Sequence, residues 1–193
     1  MAVHSQALEL VDSARVSMGL SWKEIMMAEL GNQILPESPL RTAKKYFQSL
    51  GVFHVSIDLN GNDGAEKLDL SKPLLQFRPE WDGIFNIVTN FGTSEHIERG
   101  QWQTFRNMHD LCKDGGVMIH MVPLTGNWHK HSHYYYTKQF FTELTAACGY
   151  TMLYNMIAEY PTRKKQAQVC AILKKNSETA FCLPDNFPEV CNE

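Results

Sequence analysis

The chain has 193 residues, 44% hydrophobic and 20% charged, with a formal net charge of −3 at pH 7. That length suits one domain with a substantial core, the composition argues against disordered, collagenous and membrane classes, and the mild acidity gives no reason to expect a nucleic-acid partner. Five widely spaced cysteines without a C-x-x-C pair fit neither a disulfide framework nor a zinc ribbon, and without an apolar signal segment or a run of eighteen apolar residues the expectation is a soluble, cytoplasmic protein with no membrane partner.

Ala7, Leu8, Leu10, Val11, Ala14 and Met18 recur near helical spacing and predict an amphipathic helix over residues 4 to 18. Glu24 to Glu29 reads as a short buried strand, broken at Leu30-Gly31-Asn32. A helix follows over Ser38 to Leu50, with Ser38 as N-cap, Pro39 in the first position and Gly51 as the stop. Val52 to Ile57 is a strand ending at Asp58, Ala65 to Leu70 a further strand candidate, and Ile84 to Thr89 another strand.

Gln101 to Cys112 carries Trp102, Phe105, Met108 and Leu111 on one helical face. Lys113-Asp-Gly-Gly116 then turns into a strand over 117 to 122, stopped by Pro123. Thr137 to Cys148 is a helix closed by Gly149, and two last strands, 150 to 158 and 167 to 174, flank the charged turn 159 to 165. The basic run Arg163-Lys164-Lys165 in it reads as a solvated turn.

The alternation predicts an α/β fold: a mainly parallel, seven-stranded, doubly wound sheet with helices on both faces. With no helix between them, the final strands must form an antiparallel pair at one end. Residues 1 to 175 form this domain, and 176 to 193 read as an irregular tail lying on the surface.

Ligands of such sheets bind beyond the carboxyl ends of the strands. Those ends carry Glu29 to Gln33, Asp58 to Asp63, Asp69-Leu70, Asn90 to His96 and Pro123 to Gly126. A carboxylate such as Asp58 can accept both hydroxyls of a ribose, or it can simply close an Asx turn with Asn60 and Gly61; the residue alone leaves both open.

Glu29-Leu-Gly31, Asp58, Asp69-Leu70, the run from Phe85 to Asn90 with Glu95-His96-Ile97, and Leu111-Cys-Lys-Asp-Gly-Gly116 before a strand together resemble the class I, Rossmann-like S-adenosylmethionine-dependent methyltransferases. The resemblance runs from about residue 24 to 175. It implies S-adenosylmethionine as cofactor, with Glu29, Gly31 and Asn32 along its methionyl and ribose part and Asp58 on the ribose hydroxyls. It further implies Leu59 on the adenine face, Asp69 and Leu70 at the adenine edge, and Asn90 and Phe91 beside the sulfonium. Where the family usually has G-x-G-x-G, this chain has Gly31-Asn-Gln-Ile-Leu-Pro, so Asn32 and Gln33 are expected to hydrogen-bond the methionine end.

Methyl transfer needs an aligned acceptor and often a base. Glu95 and His96 are the nearest candidates and His133 a second, each of which also has an ordinary structural reading as a helix-start acid or a loop-bonding imidazole. Trp128 and Tyr134, after the next strand, are expected to wall a substrate pocket. His129, His131 and His133 alternate, but a metal site needs ligands from elsewhere, and no metal is expected. The resulting expectation is a methyltransferase acting on a small-molecule hydroxyl or amine, such as a sugar or other metabolite. The alternative is a noncatalytic binding module of the same fold that has lost its cofactor. A nicotinamide-dependent oxidoreductase is set aside for want of G-x-G-x-x-G.

Overall fold

The computed structural model describes residues 4–159, 166–177 and 179–192. The expected turn with Arg163-Lys164-Lys165 lies outside the described residues. No described helix is long and apolar enough to cross a membrane.

Helix α1 (Ser5–Ser17) buries Ala7, Val11 and Ala14, one residue per turn along a single stripe. Strand β1 (Met26–Leu30) follows, then α2 (Ala43–Ser49), β2 (Phe53–Ile57) and, after a long irregular segment, β3 (Phe85–Phe91). The chain continues through α3 (Gln101–Leu111), β4 (Cys112–Pro123), the short β5 (Tyr134–Tyr135), α4 (Lys138–Cys148), β6 (Thr151–Glu159), β7 (Ala167–Lys174) and the short β8 (Cys191–Asn192).

The main sheet has six strands in the order β2-β1-β3-β4-β7-β6. The first four are parallel; β7 runs antiparallel to both β4 and β6, as the missing crossover helix required. Alternation along each strand sorts its side chains between two cores. Phe85, Val88, Met118, Val122, Val169 and Ala171 face α3 and α4, whose Phe105, Met108, Phe141 and Leu144 fill that layer. Met27, Ile87, Ile119, Cys170 and Ile172 face α1 and α2 instead.

Three expectations need correction. Residues 65–70 form no strand: Glu66 makes a single bridge to Ile57, so the sheet has six strands rather than seven. Only residues 58–65 separate Glu66 from β2, fewer than the dozen or so that a parallel crossover demands. The helix expected from Ser38 starts at Ala43, because Arg41 stands at φ 64° and Thr42, not Ser38, caps it by accepting the Lys45 N–H. The tail is no surface arm. Phe181 and Cys182 are buried, the Trp102 indole donates to the Cys182 carbonyl at 2.9 Å, and β8 pairs with β5.

Candidate functional site

The strand order reverses at β1, whose neighbours are β2 on one side and β3 on the other. Loops leaving β1 and β3 must diverge there, which opens a crevice. A cleft of about 450 Å³ occupies that position, lined by Gly31, Asn32 and Gln33 after β1, Asp58 and Leu59 after β2, and residues 68–71. Gly92, Thr93 and the segment from His96 to Arg99 close it from the side of β3.

The first loop is built tightly in spite of its single glycine. Gly31 sits at φ 82°, and a Cβ there would stand 2.5 Å from Thr93 Oγ1 and 2.8 Å from Gln33 Nε2. Only glycine fits that backbone without strain. The Thr93 hydroxyl donates to the Leu30 carbonyl at 2.7 Å, while Gln33 Nε2 donates to Thr93 Oγ1 at 2.9 Å. The two side chains thus lace the β1 loop to the β3 loop. Gln33 Oε1 is buried beside the cleft with no hydrogen-bond partner among the described residues.

Asp58 anchors the second wall. Its Oδ2 accepts the Asn32 N–H at 2.8 Å and its Oδ1 accepts the Asn60 N–H at 2.9 Å, so the Asx turn is present. Each carboxylate oxygen offers about two lone pairs, and the turn therefore leaves acceptor capacity toward the cleft. Asp69, also in the lining, accepts the Ser71 N–H at 2.9 Å, and its bonds to Ser71 hold its pKa below the usual carboxylate value.

Glu29, Asn90 and Phe91 lie behind this surface rather than on it. Glu29 accepts from the Gln33 N–H and the Ser56 hydroxyl, and burial pushes its carboxyl up to about 8. It braces the loop from beneath. The Asn90 amide accepts the Ser94 N–H at 3.1 Å and donates to the Ser94 hydroxyl at 2.8 Å, shaping the turn after β3. Phe91 faces the α1 and α2 core.

The residues proposed for proton transfer divide in the same way. His96 borders the cleft with its side chain 45% exposed; partial burial and the neighbouring His131 hold its pKa down at about 4, so the imidazole is neutral at physiological pH. Glu95 is wholly buried, and burial pushes its carboxyl up to about 8 against the opposing effect of its own backbone N–H. His133 is exposed, and its N–H donates to the Glu95 carbonyl at 3.0 Å, fastening the β4–β5 loop against the turn after β3.

Trp128 and Tyr134 do not line the cleft. The Trp128 indole is buried and donates to the Ala167 carbonyl at 2.6 Å, and the Tyr134 hydroxyl donates to the carbonyl of Glu98, a residue of the rim. Residues that went unremarked include Thr93, whose clamp is a long-range contact without a local sequence signature. Another is the pairing of His131 with His96, rings 5.0 Å apart, which depends on how the β4–β5 loop folds back.

No protein-family model matches the sequence, and no curated protein matches it. Solved structures do. A methyltransferase from Methanosarcina mazei, described as S-adenosylmethionine-dependent, superposes with a TM-score of 0.64 at 12% identity, covering 92% of this chain and 100% of its own. The 1,6-didemethyltoxoflavin N1-methyltransferase of Burkholderia thailandensis, solved with S-adenosylhomocysteine, gives 0.61 at 13% identity over 86% of this chain and 76% of its own. The N-methyltransferase NodS of Bradyrhizobium japonicum, also solved with S-adenosylhomocysteine, gives 0.61 at 13% identity over 89% and 85%.

This chain has the class I methyltransferase fold.

Within that fold, the cleft at the β1–β3 divergence is where ligands of an open α/β sheet bind. At these identities the likeness speaks for architecture, and the function has to be argued from the site itself.

Proposed function

We propose that the protein binds S-adenosylmethionine in this cleft and transfers its methyl group to a small-molecule acceptor. The observation that carries the reading is the conjunction, at one switch point, of the left-handed Gly31 loop with two carboxylates, Asp58 and Asp69, that line the same cleft. The residues fit the group. The volume lies within the roughly 300–1,000 Å³ of small-molecule pockets. Asp58 keeps acceptor capacity for ribose hydroxyls, Leu59 and Leu70 offer apolar surface to a purine, and Gln33 Oε1 is a waiting acceptor for an ammonium group.

S-adenosylmethionine supplies a methyl group already activated on a sulfonium. What falls to the chain is positioning, worth roughly 7–11 kcal/mol of barrier when complete, and acceptance of a proton from a hydroxyl or amine. The neutral, cleft-bordering imidazole of His96 suits that role, with His133 as the second candidate. Glu95 is buried away from solvent and protonated at neutral pH as it stands, which favours a supporting role over that of base. A small acceptor accords with the neighbours that methylate toxoflavin precursors or act as N-methyltransferases.

Isothermal titration with S-adenosylmethionine and S-adenosylhomocysteine tests the reading. Micromolar binding is expected, and Asp58→Ala should weaken it at least tenfold, since hydrogen bonds to a charged group contribute about 1.5–3 kcal/mol each. Absence of binding at millimolar ligand, or equal affinity in Asp58→Ala, would defeat it.

A further inference from the structure

The alternating histidines after β4 left one question open: whether ligands from elsewhere in the chain reach any of them. The fold answers it for His131. The β4–β5 loop turns back on the segment after β3, tied there by the His133 N–H to the Glu95 carbonyl. His131 packs against the Trp128 ring at 4.7 Å and meets His96 nearly edge-on, at 5.0 Å and 71°. Glu95, His96 and His131 can each bring one ligand atom within 4.8 Å of the other two.

A second, independent observation comes from Glu95. It is 0% exposed, yet by geometry neither carboxyl oxygen finds a hydrogen-bond partner among the described residues; His96 Nε2 is 3.9 Å from Oε1, beyond bonding distance. Buried polar groups are nearly always satisfied, and one that is not calls for an explanation such as an ion. His54 and its neighbour Glu29 offer no comparable case, because Glu29 already accepts from Ser56 and Gln33.

We infer that Glu95, His96 and His131 form a binding site for one divalent metal ion of the zinc class, with an open coordination position facing the cleft. Two imidazoles and a carboxylate are a donor set suited to zinc, cobalt or ferrous ion rather than to calcium or magnesium. Ligands about 2.0–2.2 Å from a tetrahedral ion stand about 3.4 Å apart. Closing the cluster from within 4.8 Å to that spacing requires small turns of the His96 and His131 rings, of which His96 is the more exposed. With the ion bound, His96 serves as a ligand in place of the base, and because it borders the cleft a substrate oxygen or nitrogen could take the remaining position and lose its proton more readily there. Only this last consequence rests on the proposed methyl transfer; metal binding itself does not.

The test uses the full chain, stripped with a chelator and titrated with Zn²⁺ by calorimetry and with Co²⁺ by visible absorption, without S-adenosylmethionine. One ion should bind with a dissociation constant in the micromolar range or below, and the Co²⁺ spectrum should report four- or five-coordination. Glu95→Gln, which keeps the shape of the side chain, and His131→Asn should each weaken binding at least tenfold, whereas His129→Ala should not. Thermal melts separate a lost ligand from a lost fold: Glu95→Gln should melt no lower than the metal-free wild type yet lose the rise that Zn²⁺ gives the wild type. The inference is overturned if the wild type binds neither ion at 1 mM, or if Glu95→Gln and His131→Asn bind as the wild type does. Since no cofactor is present, failure here leaves the methyl-transfer reading standing, and failure to bind S-adenosylmethionine leaves the metal site standing.

Discussion

Gly31 concentrates the design of the cleft in one residue. In a glycine-rich loop several residues share the close backbone approach; here a single glycine at φ 82° does so while Thr93 and Gln33 knit the loop from the side. Gly31→Ala should therefore act twice. The left-handed conformation costs a non-glycine residue roughly 1–2 kcal/mol, and the new methyl must displace Thr93 Oγ1 from its 2.5 Å approach, loosening the clamp to Leu30. An unfolding free energy lowered by at least that amount in urea denaturation is expected, with S-adenosylmethionine affinity reduced as well. A variant as stable as the wild type would show that the loop has room the structure denies it. The importance of Gly31 could be read from its place after a strand, but Thr93 could not, because a bond between residues 30 and 93 leaves no periodic trace.

Among the elements, the tail from residue 176 contributes most unexpectedly. Two prolines and no hydrophobic period over 176 to 193 suggested a solvated arm, yet Phe181 lies against Trp102 and His109, and Phe187 against Phe105 and Phe140. Irregular backbone packs through single aromatic anchors, and no period announces them. Phe181→Ala should cost roughly 3 kcal/mol, the low end for a buried phenylalanine, because the site lies at the edge of the core; urea denaturation with an unchanged slope would measure it. A change within about 0.5 kcal/mol, as for a surface residue, would restore the arm. The regular elements were far more legible. The strand from 167 to 174 and the helix ending at Cys148 before Gly149 lie where periodicity and punctuation put them. The expected strand over 65 to 70 failed for a reason local pattern cannot carry, since a strand needs a partner and a connection long enough to reach it.

Across the whole molecule, two layers packed on one sheet bury several titratable groups in their neutral forms, and this fixes how stability should follow pH. His54 is stacked on Phe47, His120 lies between Phe105 and Phe141, and His109 bonds the Tyr150 hydroxyl at 2.8 Å. Burial pulls all three from 6.5 to about 3, helped at His54 by Lys44 and at His109 by Lys175 and Arg106. The unfolded chain thus binds more protons than the native one between about 3 and 6.5, and these histidines contribute stability that is complete above 6.5 and lost on acidification. Glu29 has the opposite sign. Burial raises it from 4.5 to about 8, so its contribution is complete below 4.5 and is lost as pH rises through 8. Glu95, raised by burial to about 8 like Glu29, adds a second loss, and His96, held down at about 4, a fourth gain. From 4.5 to 6.5 the four gains outweigh the two losses, and above 6.5 only the losses remain, which places maximal stability of the metal-free protein near pH 6.5. Urea midpoints at pH 5, 6.5 and 8 should peak at the middle value. Glu29→Gln, which cannot ionise, should reduce the fall toward pH 8, and adding Glu95→Gln should flatten it, while the fall toward pH 5 stays. Stability that climbs steadily to pH 8 in the wild type, or an alkaline fall undiminished in Glu29→Gln, would show that the carboxyl beneath the cleft is ionised in the native protein.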